Sequence, residues 1–276
     1  MKAATPLAEK LSAQPLYTFF TFIFAFAGLF PFWSSAQSCT PPPSGLVSWW
    51  PGNGNASDLT GGNNGTVQGT VTYATGKAGQ AFSFNGVAGG GVVVGNPANL
   101  QLQNFTIEAW IQRTSASQTS ASAGGGIVFG YGSHGYQFGL LNNGVLFLSE
   151  PDVAAVSSAA QVTDLNWHHV GVSKTGGTVV FYVDGTAYPA AAFNQVFAFT
   201  TSAAIGLLAD RSSDTFQGLI DEVDVYNRAL GATEVQAIYN AGSAGKCVSA
   251  PPAITTQPAN VAGVAGQNAT FSVVAA

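Results

Sequence analysis

The sequence predicts an all-β sandwich with one short C-terminal helix, and three observations carry that reading. Glycine is abundant, at 34 of 276 residues. Charged residues make up only 8%. Short runs of Val, Ile, Phe and Thr alternate with Gly/Asn/Ser clusters along most of the chain. A period of two marks half-buried strands, and the small polar clusters mark the tight turns between them. Past the N-terminus the one good helical pattern is Thr233–Asn240. Gly231 is placed to cap it, Glu234 follows three positions on, and Gly242 comes after its end. Val235, Ile238 and Tyr239 form its apolar stripe.

The first segment reads as an address rather than as fold. Lys2 and Lys10 precede an apolar, Phe-rich run from Leu16 to Trp33, and Ser34-Ser-Ala36 offers the small residues a signal peptidase requires. Residues 1–36 are therefore read as a signal peptide; the length of the run keeps an uncleaved anchor open as the alternative. No later segment is apolar enough to cross a bilayer as a helix, so the expectation is a secreted, extracellular or cell-surface protein. The formal net charge is −5 and no basic cluster occurs, which argues against nucleic acid or an anionic membrane as partner. Only two cysteines occur, Cys39 and Cys247. Export favours their oxidation, with free thiols or a lipidated Cys39 as the competing readings.

Five phrases then follow in order: Gly45-Leu-Val-Ser-Trp-Trp50 with an acidic loop to Asp58; Gly76-Lys-Ala-Gly-Gln-Ala-Phe-Ser-Phe84-Asn-Gly86; Phe105-Thr-Ile-Glu-Ala-Trp110-Ile; Trp167-His-His-Val170; and Phe181-Tyr-Val-Asp184-Gly185. They end on the strand-to-helix segment Phe216–Gly242. Together they resemble the laminin-G-like domains of the concanavalin-A-like lectin/glucanase superfamily. The resemblance implies a two-sheet antiparallel jelly-roll over residues 37–248. Its first and last strands would be neighbours, pairing Cys39 with Cys247 in a disulfide. It also implies a non-catalytic binding or adhesion module for a glycan or an extracellular protein. A structural spacer, or an accessory domain of an enzyme, is the alternative. Residues 249–276 begin with a Pro-rich link, and Gly266–Val274 alternates like a strand; this region resembles the start of a bacterial immunoglobulin-like domain.

Candidate sites follow from the strand faces. Alternation in Phe216–Tyr226 groups Asp221 with Leu219, Val223 and Val225, and sets Glu222, Asp224 and Tyr226 on the other face with Ile220. A carboxylate on an aliphatic face needs a partner. The resemblance implies one structural Ca²⁺ at the sandwich edge, with Asp58, Asn63 and Asp221 as oxygen donors. The plainer reading is that Asp58 caps its own turn and Asp221 accepts backbone hydrogen bonds. Glu222-Val-Asp224-Val-Tyr226 begins like the Glu-x-Asp-x-Glu of a retaining glycosidase but lacks the last acid, and that chemistry needs two carboxyl groups about 5 Å apart. No catalytic residue is assigned. For ligand binding the candidates are Trp110, Tyr131, His134 and Tyr136. Trp110 shares a face with Glu108 and Gln112, and the Tyr131–Tyr136 turn is either a recognition loop or an ordinary hairpin. Phe82, Phe84, Phe105, Phe147 and Phe181 are expected in the core. His168 is expected there too, with His169 facing away, and Ser115–Gly126 is expected to be a mobile loop.

Overall fold

A computed structural model describes residues 39–210, 213–248, 254–256, 268 and 274–275. The signal-peptide reading of residues 1–36 lies outside them, and so does most of the immunoglobulin-like reading of 249–276, where only a short antiparallel pair, β16 (Ile254–Thr256) with β17 (Val274–Ala275), is described. Among the described residues no helix is long and apolar enough to cross a membrane.

Two antiparallel sheets make a jelly-roll sandwich. One has eight strands: β1 (Leu46–Trp50), β3 (Thr72–Thr75), β4 (Gln80–Asn85), β6 (Phe105–Arg113), β11 (Trp167–Thr175), β12 (Thr178–Val183), β13 (Thr186–Pro189) and β15 (Gln217–Tyr226). Its order is β13-β12-β11-β6-β15-β4-β3, with β1 also on β15. The other has seven: β2 (Thr66–Gln68), β5 (Gly91–Gly95), β7 (Gly126–Tyr131), β8 (Gln137–Leu140), β9 (Val145–Glu150), β10 (Ala154–Gln161) and β14 (Ala203–Ile205), in the order β10-β9-β8-β7-β14-β5-β2. Strands far apart in the chain are neighbours in both sheets, as in a jelly-roll.

The inner faces meet in one apolar core. Ile107, Ala109 and Ile111 of β6, Val170 and Val172 of β11, and Phe82 and Phe84 of β4 point inward from the first sheet. Phe129, Phe138, Leu146 and Leu148 answer from the second. Trp50 stacks on Phe129 between the sheets at 5.4 Å, and its indole N–H is satisfied by the Asn63 carbonyl at 2.8 Å. Burying a ring of this size is a large apolar contribution only when its polar edge keeps a partner.

Strand β15 departs from simple alternation. Asp221 pairs with Trp110 of β6 and Asp224 with Glu108, so three steps on β15 oppose two on β6. The extra residue is a β-bulge, and Glu222 sits in the left-handed region at φ 55°. At the bulge β15 also changes its other neighbour: Gln217–Ile220 pair with β4, and Val223–Tyr226 with β1. The phase shift corrects the expected faces. Ile220, Val223 and Val225 point into the core. Asp221 is not on their side.

The helix α1 (Ala232–Ala241) is capped by Gly231, whose N–H donates to the Glu234 side chain at 2.9 Å. Glu234 is held further by Arg228, and that partner draws its carboxyl down to about 2. Val235 and Ile238 pack onto Tyr182, Tyr226 and Leu230 on the outer face of the eight-stranded sheet. Beyond the helix Cys247 is bonded to Cys39, and the Cys247 N–H donates to the Thr40 carbonyl at 2.8 Å. The segment 114–125 is pinned rather than loose: the Asn142 side chain accepts from the N–H groups of Thr119 and Ser120, and buried Arg113 donates to the carbonyls of Ala116, Asn142 and Val162.

The disulfide joins residues 208 positions apart. A closed loop of that length contributes at most about 5 kcal/mol through the unfolded chain. Replacing both cysteines with serine is expected to lower the thermal midpoint by several degrees without changing the fold, measured by calorimetry and circular dichroism. An unchanged midpoint would show that the bridge contributes nothing.

Candidate functional site

The outer faces of the two sheets differ. On the eight-stranded sheet the outer face is covered. Trp110 lies beneath α1, stacked on Tyr239 at 5.6 Å, with the Lys77 ammonium 4.4 Å above its ring and His169 against its edge. It is 4% exposed and serves as packing, not as a platform. The open question of its face is thereby resolved: it is the outer, helix-covered side. A polar cleft of about 350 Å³ lies beside it, bordered by Lys77, Trp167, Asp184 and Asn240.

The seven-stranded sheet leaves its outer face open, and a groove of about 410 Å³ runs across it. Its floor is a separate apolar cluster of Ile127, Phe147 and Leu208, with Leu141 packed alongside. Alternation in β9 explains this: Leu146 and Leu148 go to the core, so Phe147 and Ser149 must face out. Phe147 is buried, as expected from its type, but in this separate outer cluster rather than between the two sheets. Its ring lies over Gly139, where an added Cβ would meet Phe147 Cζ at 3.0 Å and the Gly126 carbonyl oxygen at 2.4 Å. Glycine is required there for the ring to lie flat on the sheet.

Polar groups border this floor. Ser149 Oγ donates to Gln137 Oε1 at 3.1 Å, while Gln137 Nε2 is buried with no partner. A buried amide donor without an acceptor costs about 1–3 kcal/mol. Glu150 and Asp214 also line the groove, and His134 Nδ1 stands 3.5 Å from Glu150 Oε1 at its edge.

Of the four residues expected to bind ligand, none lines this groove; His134 stands nearest, beside the lining residue Glu150. Tyr131 and Tyr136 are core residues, fully buried. Tyr136 packs on Phe105 at 4.5 Å and donates to the Leu100 carbonyl at 2.7 Å, and Tyr131 packs edge-on against it at 5.3 Å. Neither ring is available for stacking. The groove residues Gln137, Phe147, Ser149 and Glu150 were not picked out by sequence reasoning. Alternation in β8 and β9 is the available signal, but Phe147 and Gly139 on the outward side differ too little from the inward Phe138, Leu146 and Leu148 to mark the two faces.

The three residues proposed as calcium donors do not form one donor set. Asp58 sits in a nest of backbone N–H donors from Trp49, Thr60, Gly61 and Asn63 at 2.9–3.1 Å, an environment built for an anion. The Asn63 amide nitrogen donates to Ser48 and Asn99. Asp221 accepts at Oδ2 from the N–H groups of Lys77 and Ala78, at 2.7 and 2.9 Å, in a different loop. Burial pushes its carboxyl up to about 7. Among the described residues no group of three His, Cys, Asp or Glu is placed to hold a metal ion.

The acid-rich stretch of β15 is closed as well. Glu222 and Asp224 are buried beneath Lys246, where no polysaccharide reaches them. His168, expected in the core, instead bridges Asp184 and Asp164 at 2.8 and 2.9 Å at the sheet margin, and His169 is the buried one of the pair.

The fold and groove define a lectin-like β-sandwich module. A family model described as the concanavalin A-like lectin/glucanases superfamily matches residues 84–236, and the chain belongs to that superfamily. Among solved structures it is similar to domain 4 of AbnA, a GH43 extracellular arabinanase from Geobacillus stearothermophilus in complex with arabinotriose, with a TM-score of 0.56 and 22% identity over 69% of this chain and 96% of that one. It also resembles the botulinum neurotoxin serotype G binding domain, with a TM-score of 0.53 and 14% identity over 70% of this chain and 50% of that one. Trypanosoma rangeli sialidase gives a TM-score of 0.50 and 18% identity over 73% of this chain and 35% of that one. The chain thus spans about half of the toxin domain and a third of the sialidase. At these identities the likeness is one of fold. The comparison with curated proteins gave no match.

His168 offers a direct test of the local electrostatics. Its hydrogen bond to Asp184, then that to Asp164, raises it to about 9 from an ordinary 6.5. A raised folded pKa stabilises most below the unfolded value and is lost as pH rises through the folded one. The stability gap between wild type and His168→Gln is expected to be full near pH 6 and to close through pH 9, measured by denaturant titration at several pH values. A gap that does not vary with pH would contradict the ion-pair assignment.

Proposed function

We propose that this protein is an exported, non-catalytic module that binds glycan in the groove on the outer face of its seven-stranded sheet. One observation carries the reading: an apolar floor around Phe147 lies beside Gln137 Nε2, a buried donor with no acceptor. Sugar recognition calls for that combination. The C–H face of a pyranose or furanose ring covers an apolar surface, and its hydroxyls supply acceptors to fixed amide donors and donors to carboxylates. Ser149, Glu150 and Asp214 stand beside the same floor. The arabinotriose bound by the similar arabinanase domain makes short arabino-oligosaccharides the first ligands to try.

The non-catalytic reading is supported by one placement: the carboxylates of β15, which begin like a glycosidase motif, are buried under the C-terminal segment. An exported location is supported by the Cys39–Cys247 bridge, since such bonds persist in oxidising compartments. In this reading residues 249–276 lead into a further, immunoglobulin-like domain.

Calorimetric titration with arabino-oligosaccharides, alongside a broad glycan array, tests the assignment. Phe147→Ala and Gln137→Leu are each expected to weaken binding tenfold or more, about 1.4 kcal/mol; Phe147 is buried, so Phe147→Ala is also expected to lower thermal stability, and titrations are run well below its midpoint. Failure to bind across the array, or binding that neither substitution weakens, would sink the proposal.

A further inference from the structure

The most unusual chemistry in the molecule lies away from the groove, under the C-terminal segment. After α1 a short 3-10 turn, Gly242–Ala244, brings the chain back over the eight-stranded sheet. Lys246 then forms a parallel bridge with Thr40, beside the disulfide, and its side chain runs down onto the sheet. There it meets three acids. Its Nζ is 2.6 Å from Asp224 Oδ2 and 3.0 Å from Glu222 Oε2. Glu108 is the direct cross-strand partner of Asp224, and the charge of each bears on the other. The side chains of Lys246, Glu222 and Asp224 are 2%, 4% and 0% exposed, and that of Glu108 is 1%.

The surroundings hold these groups in place. Glu222 Oε2 accepts the Trp49 indole N–H at 3.1 Å, and the Lys246 ammonium lies 5.3 Å from the centre of that ring. On the far side His169 Nε2 is 3.2 Å from Glu108 Oε2. Neither oxygen of Asp224 receives an aligned hydrogen bond, in spite of the amine at 2.6 Å. A proton carried by Asp224 removes the like-charge repulsion with Glu108, its cross-strand neighbour. Burial pushes the Asp224 carboxyl well above the ordinary range. Burial also acts on Glu108, but the hydrogen bond and charge of His169 outweigh it and hold that carboxyl below its ordinary value.

We propose that Lys246 Nζ and Asp224 Cγ join in an intramolecular isopeptide bond, with Glu108 moving the protons. The step balances without any co-reactant. Glu108, as carboxylate, takes a proton from the Lys246 ammonium. The freed lone pair of Nζ attacks Cγ of protonated Asp224, forming the C–N bond. Glu108 delivers its proton to the departing hydroxyl, the C–O bond breaks, and water leaves. The nitrogen gives up one more proton, which comes to rest on Glu108. Ammonium, carboxylic acid and carboxylate thus become amide, water and carboxylic acid, with charge conserved.

Two physical factors favour the condensation. Holding amine and carboxyl in contact replaces a bimolecular encounter with an internal one, at effective molarities of about 10⁵ M or more. Before the bond forms the interior holds the desolvated charges of Lys246 and Glu108, at several kcal/mol each; afterwards the amide and the protonated Glu108 carry none, and the water is expelled. Once formed, the bond ties the segment after α1 to the centre of the sheet by a link that reducing agents do not break. This inference is independent of the glycan reading.

Peptide mapping of the full chain tests it. The protein is unfolded, reduced, alkylated and digested with trypsin. In the wild type, peptides 212–228 and 229–276 are expected as one branched species, uncut after Lys246, with fragmentation placing the link between Asp224 and Lys246. The denatured chain should also be lighter than its sequence mass by one water. Glu108→Gln and Asp224→Ala are expected to give the separate linear peptides with normal cleavage after Lys246. Linear peptides from folded wild type would overturn the proposal, whether or not the variants fold. A link that persists in Glu108→Gln would overturn the role given to Glu108.

Discussion

One inserted residue organises the eight-stranded sheet. At Asp221–Glu222, β15 takes an extra position against β6 and at the same point exchanges β4 for β1 as its other neighbour. Without the bulge, strict alternation would direct Asp221 inward beside Val223 and Val225, where a carboxylate has no donor. With it, Ile220, Val223 and Val225 all enter the core, and Asp221, Glu222 and Asp224 all leave it. Asp221 finds the N–H groups of Lys77 and Ala78 in the turn ahead of β4. The bulge therefore allows β4 and β1 to share one edge of a central strand, and it collects acids on the opposite surface.

That collection imposes the next requirement. Glu108, Glu222 and Asp224 on one covered face repel one another, and covering them removes the water that would screen them. The fold answers with a single lysine delivered from the chain end. Lys246 occupies its place because α1 packs on Tyr182 and Tyr226, the 3-10 turn redirects the chain, and the bond from Cys247 to Cys39 fastens the segment to the start of the domain. Helix, turn, lysine and disulfide are thus parts of one closure. Removing the lysine alone would leave Glu222 and Asp224 buried without the group they pack against, which is more disruptive than removing a surface side chain.

The fold class, the helix with its Gly231 cap, and the cysteine pairing were legible in the sequence, because each depends on short-range pattern or on a small residue count. The helix was expected at Thr233–Asn240 and extends one residue further at each end. Side-chain placement was less legible, for identifiable reasons. Alternation fails at a bulge, and nothing in Leu-Ile-Asp-Glu-Val-Asp announces one, so Asp221 was put on the wrong face. Tyr131 and Tyr136 look like a recognition turn in a Gly-rich segment, yet the register of β7 and β8 carries both rings inward. His168 is the second residue of β11, and its ring is held at the sheet margin by Asp164 and Asp184 rather than packed with Val170 and Val172. The groove residues depend on which sheet face stays uncovered, and that is a property of the assembled sandwich.

The two outer faces can be compared on physical grounds. A sheet needs cover where its outward side chains are aromatic or charged and crowded, and the β6–β15 surface carries Trp110, Tyr226 and the acids together. The β7–β9 surface carries Gly139, Gln137, Ser149 and one ring at Phe147, all buried against one another and their neighbours without a covering helix. Their small size opens a groove, and the rigid ladder beneath keeps Phe147 and Gln137 in fixed positions. Rigid placement limits the conformational entropy a ligand must overcome, so even a shallow groove can select among similar rings. The covered face supplies the stiffness and the open face the groove, and the bulge in β15 is what lets one chain do both.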